Sequence, residues 1–149
     1  GNLLVAGLGA AVFPFGATAA GTWGRSWIPA GFALLFHLGR EIVKDVEDIP
    51  GDRAGRAGTV AVQWGRVRAC RLAAGTLLAL VAFTWLPALA RLYGPAYVVP
   101  IIVLTALVVR VVAQLLARPD RVPTGRLGRQ LKGGMVLGLG AVALAEIVG

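Results

Sequence analysis

Five of the seven acidic residues, Glu41, Asp45, Glu47, Asp48 and Asp52, fall between Gly39 and Thr59 in a chain that is otherwise oily or basic. Four of them, Glu41, Asp45, Asp48 and Asp52, are separated by four, three and four positions. On a helix that spacing stacks the carboxylates along one face. Like charges so close repel, and next to a membrane poorer screening enlarges the repulsion. A bound cation relieves it. Hard divalent cations favour oxygen ligands, and Mg²⁺ in particular joins one or two carboxylates to the phosphates of a substrate. Arg40, Lys44 and Arg53 flank the cluster and are suited to holding phosphate oxygens directly. The chemistry expected is a metal-bridged phosphate or diphosphate site at a membrane face. The competing reading is a solvated loop beside the membrane, laced with i,i+4 ion pairs such as Lys44 to Asp48.

The elements that must position these residues are membrane helices. Of the 149 residues 57% are apolar, the mean hydropathy is +0.76, and 15 Lys or Arg and 7 Asp or Glu cluster between long apolar runs. That is the pattern of an integral membrane protein. The net charge of +8 does not indicate nucleic acid, because basic residues confined to gaps between spans form no continuous basic surface. A lone cysteine, Cys70, excludes an internal disulfide and a CxxC metal site. No signal peptide is visible. The chain begins and stops almost inside apolar runs, and it reads as part of a longer protein.

Five spans are expected. Asn2 to Gly21 is uncharged and long enough to cross, since ~20 residues are needed. After a turn with Arg25, Trp23 and Trp27, a second span starts at Ile28. Its uncharged part ends at Gly39, too short to cross alone, so the helix must run on through Arg40 to Val43 and carry charge into the membrane boundary. Pro50 disfavours helix at Ile49, which places Asp52 on a loop beyond a break. Leu72 to Ala90, Ala96 to Ala117 and Gly133 to Val148 complete the set. Gly134 and Gly138 form a GxxxG pair that permits close helix contact. His37 is expected to hydrogen-bond Glu41 one turn on, with Arg40 as the alternative partner of Glu41; Glu47 lies off the acidic stripe. Arg110, alone within a span, snorkels, binds a lipid phosphate, or pairs with a backbone carbonyl.

The two loops on one side, 40–71 and 118–132, carry 12 of the 15 basic residues. The positive-inside rule puts them, and the acidic motif, on the cytoplasmic side. Arg118, Arg121, Arg126, Arg129 and Lys132 are suited to anionic head groups there.

Lys44 to Asp52 reads KDxxDxxGD without a gap. This resembles the second aspartate-rich motif of the UbiA-type intramembrane prenyltransferases. The longer string GREIVKDVEDIPGDR is most similar to the geranylgeranylglycerol-phosphate geranylgeranyltransferase branch. Thr59 and Gly65 fall where that family has a TLPVxxG-like segment. The resemblance implies an all-α integral membrane fold: five transmembrane helices of a nine-helix bundle, with residues 1–149 as the C-terminal part of one domain. It implies Asp45, Asp48 and Asp52 as metal-facing carboxylates, with Mg²⁺ as the cofactor and Lys44 near the diphosphate. The implied activity is transfer of a prenyl group from prenyl diphosphate to a membrane-associated acceptor, either a glycerol-phosphate lipid, a quinone-precursor aromatic or a porphyrin. The family's first motif, NDxxDxxxD in form, does not occur here, so this piece alone is not expected to catalyse. Gly58 stands where the family often has a basic residue, and Arg56 is the nearest replacement. Two other classes are weaker. A transporter with a cation-binding acidic cluster would need more polar residues within its other spans, and a CDP-alcohol phosphotransferase would need a DGxxAR pattern.

Overall fold

The computed structural model describes residues 1–55 and 58–148. The chain runs α1 (Asn2–Ala19), α2 (Trp27–Glu47), α3 (Ile49–Ala54), α4 (Val60–Trp64), α5 (Arg66–Leu89), α6 (Pro95–Ala117), a single 3-10 turn (Pro119–Arg121) and α7 (Thr124–Val148). Four helices, α1, α5, α6 and α7, are long and apolar enough to cross a membrane. The fifth long helix, α2, is not, because Arg40, Glu41, Lys44, Asp45 and Glu47 crowd its last two turns. The expectation of five spans is therefore met on composition by four. The charged motif does continue the second apolar helix without interruption, as the short uncharged run required.

The middle of the bundle is α2. It packs against α1, α5 and α7, while α6 closes the far side against α5 and α7. Three close approaches fix α2 antiparallel to α7. A Cβ added to Gly138 would lie 2.1 Å from Phe32 Cζ, one on Gly134 would lie 3.3 Å from Phe36 Cζ, and one on Gly125 would lie 2.7 Å from Glu47 Oε1. The GxxxG pair thus receives the two phenylalanines of α2, which are buried, with ring centroids 5.3 Å apart and planes tilted by 42°. Small residues let helices approach without a hydrophobic driving force, so that dispersion contacts hold them.

The break in the acidic segment differs from expectation. It falls at Asp48, and Pro50 opens a new helix rather than ending one. A proline in the first turn lacks only an N–H that would be unpaired anyway, and its fixed φ suits a helix. The Asp52 N–H bonds the Asp48 carbonyl at 2.8 Å, so Asp52 sits on α3 and not on a loop. Helices α5 and α7 also begin earlier than the apolar runs do, at Arg66 and Thr124 instead of Leu72 and Gly133. Hydropathy marks only the oily part of a helix; the basic first turns continue it past the hydrocarbon edge. Most of the expected basic loop 118–132 is therefore the start of α7.

At the end of the bundle away from the acidic cluster, Arg25 donates to the Leu92 carbonyl at 3.0 Å and lies 5.4 Å from the Tyr93 ring centroid. Tyr93 in turn donates to Glu146 near the end of α7. These contacts tie the α1–α2 turn, the α5–α6 turn and α7 together.

Gly138→Leu is expected to lose about 1–3 kcal/mol through overpacking against Phe32, seen as a lower thermal midpoint in detergent. Gly140, whose Cβ position meets nothing within 4 Å, is the control; equal losses for Gly138→Leu and Gly140→Leu would contradict the packing account.

Candidate functional site

Leu38, Ile42 and Asp45 recur at helical spacing on one face of α2, so the stripe that faces inward ends in a carboxylate. Asp45 is only 9% exposed. The Asn2 side-chain amide, at the first residue of α1, donates to its Oδ2 at 2.6 Å. The hydroxyl of Thr59 donates to Asp52 Oδ2 at 3.1 Å and accepts the Val62 N–H at 3.4 Å, so one side chain caps α4 and holds the second carboxylate. Asp45 is buried, and the carboxylates of Asp52 and Glu41 lie near enough to add like-charge repulsion.

Asn2 and Thr59 also line a hollow of about 880 Å³. Its walls are otherwise mostly apolar, with Leu3 and Leu4 from α1, Leu38 and Ile42 from α2, Trp64 from α4 and Leu72 from α5, beside a further hydroxyl on Thr76. The hollow exists because α1 rests on α2 alone among the described elements. The geometry therefore gives an oily chamber, two of whose lining residues each hold a carboxylate.

The remaining residues of the motif sort by position. Asp48, at the joint between α2 and α3, is exposed, as are Lys44 and Arg53. Lys44 and Asp48 do not form an ion pair among the described residues. Arg40 instead bonds Glu41, Nη1 to Oε1, at 2.8 Å. That pairing corrects the expected bond between Glu41 and His37: His37 is turned toward α1, where a Cβ on Gly9 would lie 2.8 Å from its Cδ2, and its buried Nδ1 has no hydrogen bond. Glu47 is off the stripe, as its spacing indicated, and lies against the first turn of α7, where the helix dipole favours negative charge. Arg56 lies outside the described residues.

Arg66 carries a role that the sequence did not announce. Its Nε donates to the Pro119 carbonyl at 2.9 Å, Nη1 to that of Val46 at 3.2 Å and Nη2 to that of Val122 at 3.1 Å. One guanidinium thus ties the acid-bearing end of α2 to the segment that joins α6 and α7. Gly65, with φ +80°, makes the turn that brings Arg66 there. Asn2 was missed as well; a lone amide at the head of an oily run is its only signal.

Among the described residues no three acidic, histidine or cysteine side chains form a metal-holding group by themselves. Each of Asp45 and Asp52 keeps its second oxygen outside the bonds described above. Such hard oxygen donors fit Mg²⁺, which takes a carboxylate or two and completes its shell with phosphate and water instead of an all-protein cage.

The model of the UbiA prenyltransferase family matches residues 1–144. The digeranylgeranylglyceryl phosphate synthase of Halobacterium salinarum is 36% identical over 148 residues, covering 99% of this chain and 52% of the relative. That of Thermococcus sibiricus is 32% identical over 147 residues, with the same coverage of 99% and 52%. A solved structure concerned with digeranylgeranylglyceryl phosphate synthase in membranes superposes with a TM-score of 0.88 at 27% identity, over 100% of this chain and 53% of that one. The chain spans about half the length of the curated relatives it matches.

Replacing Arg66 by Lys retains the charge but not the planar fork that reaches three carbonyls. Arg66→Lys is expected to lower stability by about 2 kcal/mol, and Arg66→Ala by more. Thermal unfolding in detergent reads this, and an unchanged midpoint for both variants would refute the clamp.

Proposed function

Because the chain belongs to the UbiA prenyltransferase family, we propose that it is the C-terminal part of a membrane enzyme that transfers a prenyl group from prenyl diphosphate to a membrane-associated acceptor. The acceptor we assign is a glycerol-phosphate lipid, in keeping with the names of the relatives reported above. The observation that supports the reading is that Asp45 and Asp52 are held by Asn2 and Thr59, two residues that line a largely apolar hollow. In this proposal α2 counts as a fifth span, and the five belong to a bundle of nine. The end that bears the carboxylates faces the cytoplasm, in keeping with the basic residues gathered around it.

Asp45, Asp48 and Asp52 would hold Mg²⁺, which supplies positive charge to the diphosphate leaving group. Lys44 and Arg53, both exposed at this end, reach phosphate oxygens; Arg40 does so only when its pair with Glu41 opens. Asn2 and Thr59 fix the orientation of the two inner carboxylates before substrate arrives, and such preorganisation removes reorganisation at the moment of reaction. Leu38, Ile42, Trp64 and Leu72 exclude water from the cationic prenyl carbon. The prenyl C–O bond breaks with its electron pair leaving on the diphosphate, and the acceptor hydroxyl oxygen forms the new bond and gives its proton to the departing diphosphate. No side chain is assigned as an acid or base. Membership of the family favours this enzyme over the transporter and the phosphotransferase.

In the full-length enzyme, Asp45→Ala, Asp48→Ala and Asp52→Ala are each expected to reduce Mg²⁺-dependent prenyl transfer by about 100-fold or more. Thr59→Val should reduce it about tenfold and raise the Mg²⁺ needed for half-maximal rate. Asp120→Asn, at the exposed turn before α7, should leave it unchanged. Full activity in Asp48→Ala and Asp52→Ala would remove the metal role. Transfer that survives EDTA would do the same.

A further inference from the structure

A second cavity, of about 320 Å³, lies between α6 and α7 and is lined by Val103, Ala106, Leu107, Arg110 and Gln130. Arg110 is exposed, and among the described residues its guanidinium makes neither an ion pair nor a hydrogen bond. Gln130 faces it from α7. Its Oε1 is buried without a hydrogen bond, an acceptor left waiting for a donor. A cation and an unmet acceptor on one apolar groove call for a ligand that is anionic, carries a hydroxyl and has an oily body.

Depth selects the source. Arg110 lies seven residues before the end of α6 and Gln130 six after the start of α7. At 1.5 Å per residue both sit roughly 10 Å inside the acid-bearing end of the bundle. An arginine at that depth extends toward the head-group region. The antiparallel register that sets Leu104 and Leu107 against Gly134 also brings Gln114, one turn beyond Arg110, about level with Arg126, one turn before Gln130. Polar side chains therefore continue from the groove out to the basic turns of α7.

We propose that this groove binds an anionic glycerophospholipid of the surrounding leaflet. Arg110 holds its phosphate, a head-group hydroxyl donates to Gln130 Oε1, and a chain lies along Val103, Ala106 and Leu107. The site is separate from the hollow beside Asp45 and shares none of its lining residues. It does not depend on the prenyltransferase reading.

The test uses the full-length protein in nanodiscs of phosphatidylcholine doped with phosphatidylglycerol or phosphatidic acid, with retained lipid counted by native mass spectrometry. Wild type should retain phosphatidylglycerol in preference to both of the others. Arg110→Gln should weaken that retention about tenfold, the scale of one charge-assisted hydrogen bond. Arg71→Gln, which removes the same charge from an exposed position at the same end, should change it less than twofold. Gln130→Leu should keep phosphate binding but bring phosphatidylglycerol and phosphatidic acid to near parity. Unchanged thermal midpoints establish that each variant is folded. Equal losses for Arg110→Gln and Arg71→Gln would reduce the effect to general surface charge and overturn the site. So would an absence of retained lipid in wild type, or displacement by soluble glycerol phosphate at concentrations equivalent to the lipid.

Discussion

A carboxylate drawn out of water must find a donor or lose its charge, and Asp45 finds Asn2 across the start of the bundle. Much follows from that one contact. It joins the head of α1 to the tail of α2 and so fixes the two as antiparallel neighbours. It places α1 on α2 alone, away from α5, and the space left between them is the hollow. It also leaves the other acidic oxygen close to Asn2, itself a wall of the oily chamber. The same demand explains Thr59, whose hydroxyl serves Asp52 while starting a helix.

The two ends of the molecule have different chemistry because their charges differ. One end collects carboxylates, most of the arginines and both lysines; the other has Arg25 and Arg91 with aromatic rings. Between them the helices meet through glycine and aromatic side chains, and this contact needs no charge. The proposed diphosphate chemistry would draw on the first of these ends, and the apolar middle can vary in shape without disturbing it. The lipid groove beside Arg110 lies toward the same end, seven residues from the end of α6.

Much of this was legible in the residues themselves. The apolar runs showed the long helices, the short uncharged stretch before Arg40 required a helix that carries charge inward, and KDxxDxxGD marked the acidic site. Gly134 and Gly138 indicated a close seam. Other features depend on three-dimensional partners that periodicity does not encode. Pro50 reads as a breaker until the preceding residue supplies the break and leaves proline its favoured first turn. His37 and Glu41 have the right spacing for each other, yet Arg40 is nearer to Glu41 and α1 occupies the face toward which His37 turns. Arg66 looks like one more basic residue in a loop, because carbonyl acceptors leave no trace in side-chain identity.

The Arg25, Tyr93 and Glu146 contacts bind two turns and the last helix at the end remote from the carboxylates. The acid-bearing end is held too, by Arg66 on three carbonyls and by Asn2 on Asp45. A bundle pinned at both extremities yields most readily along its flank, where α1 has a single neighbour among the described elements. On the proposed reading that flank is a side door for a bulky, greasy molecule.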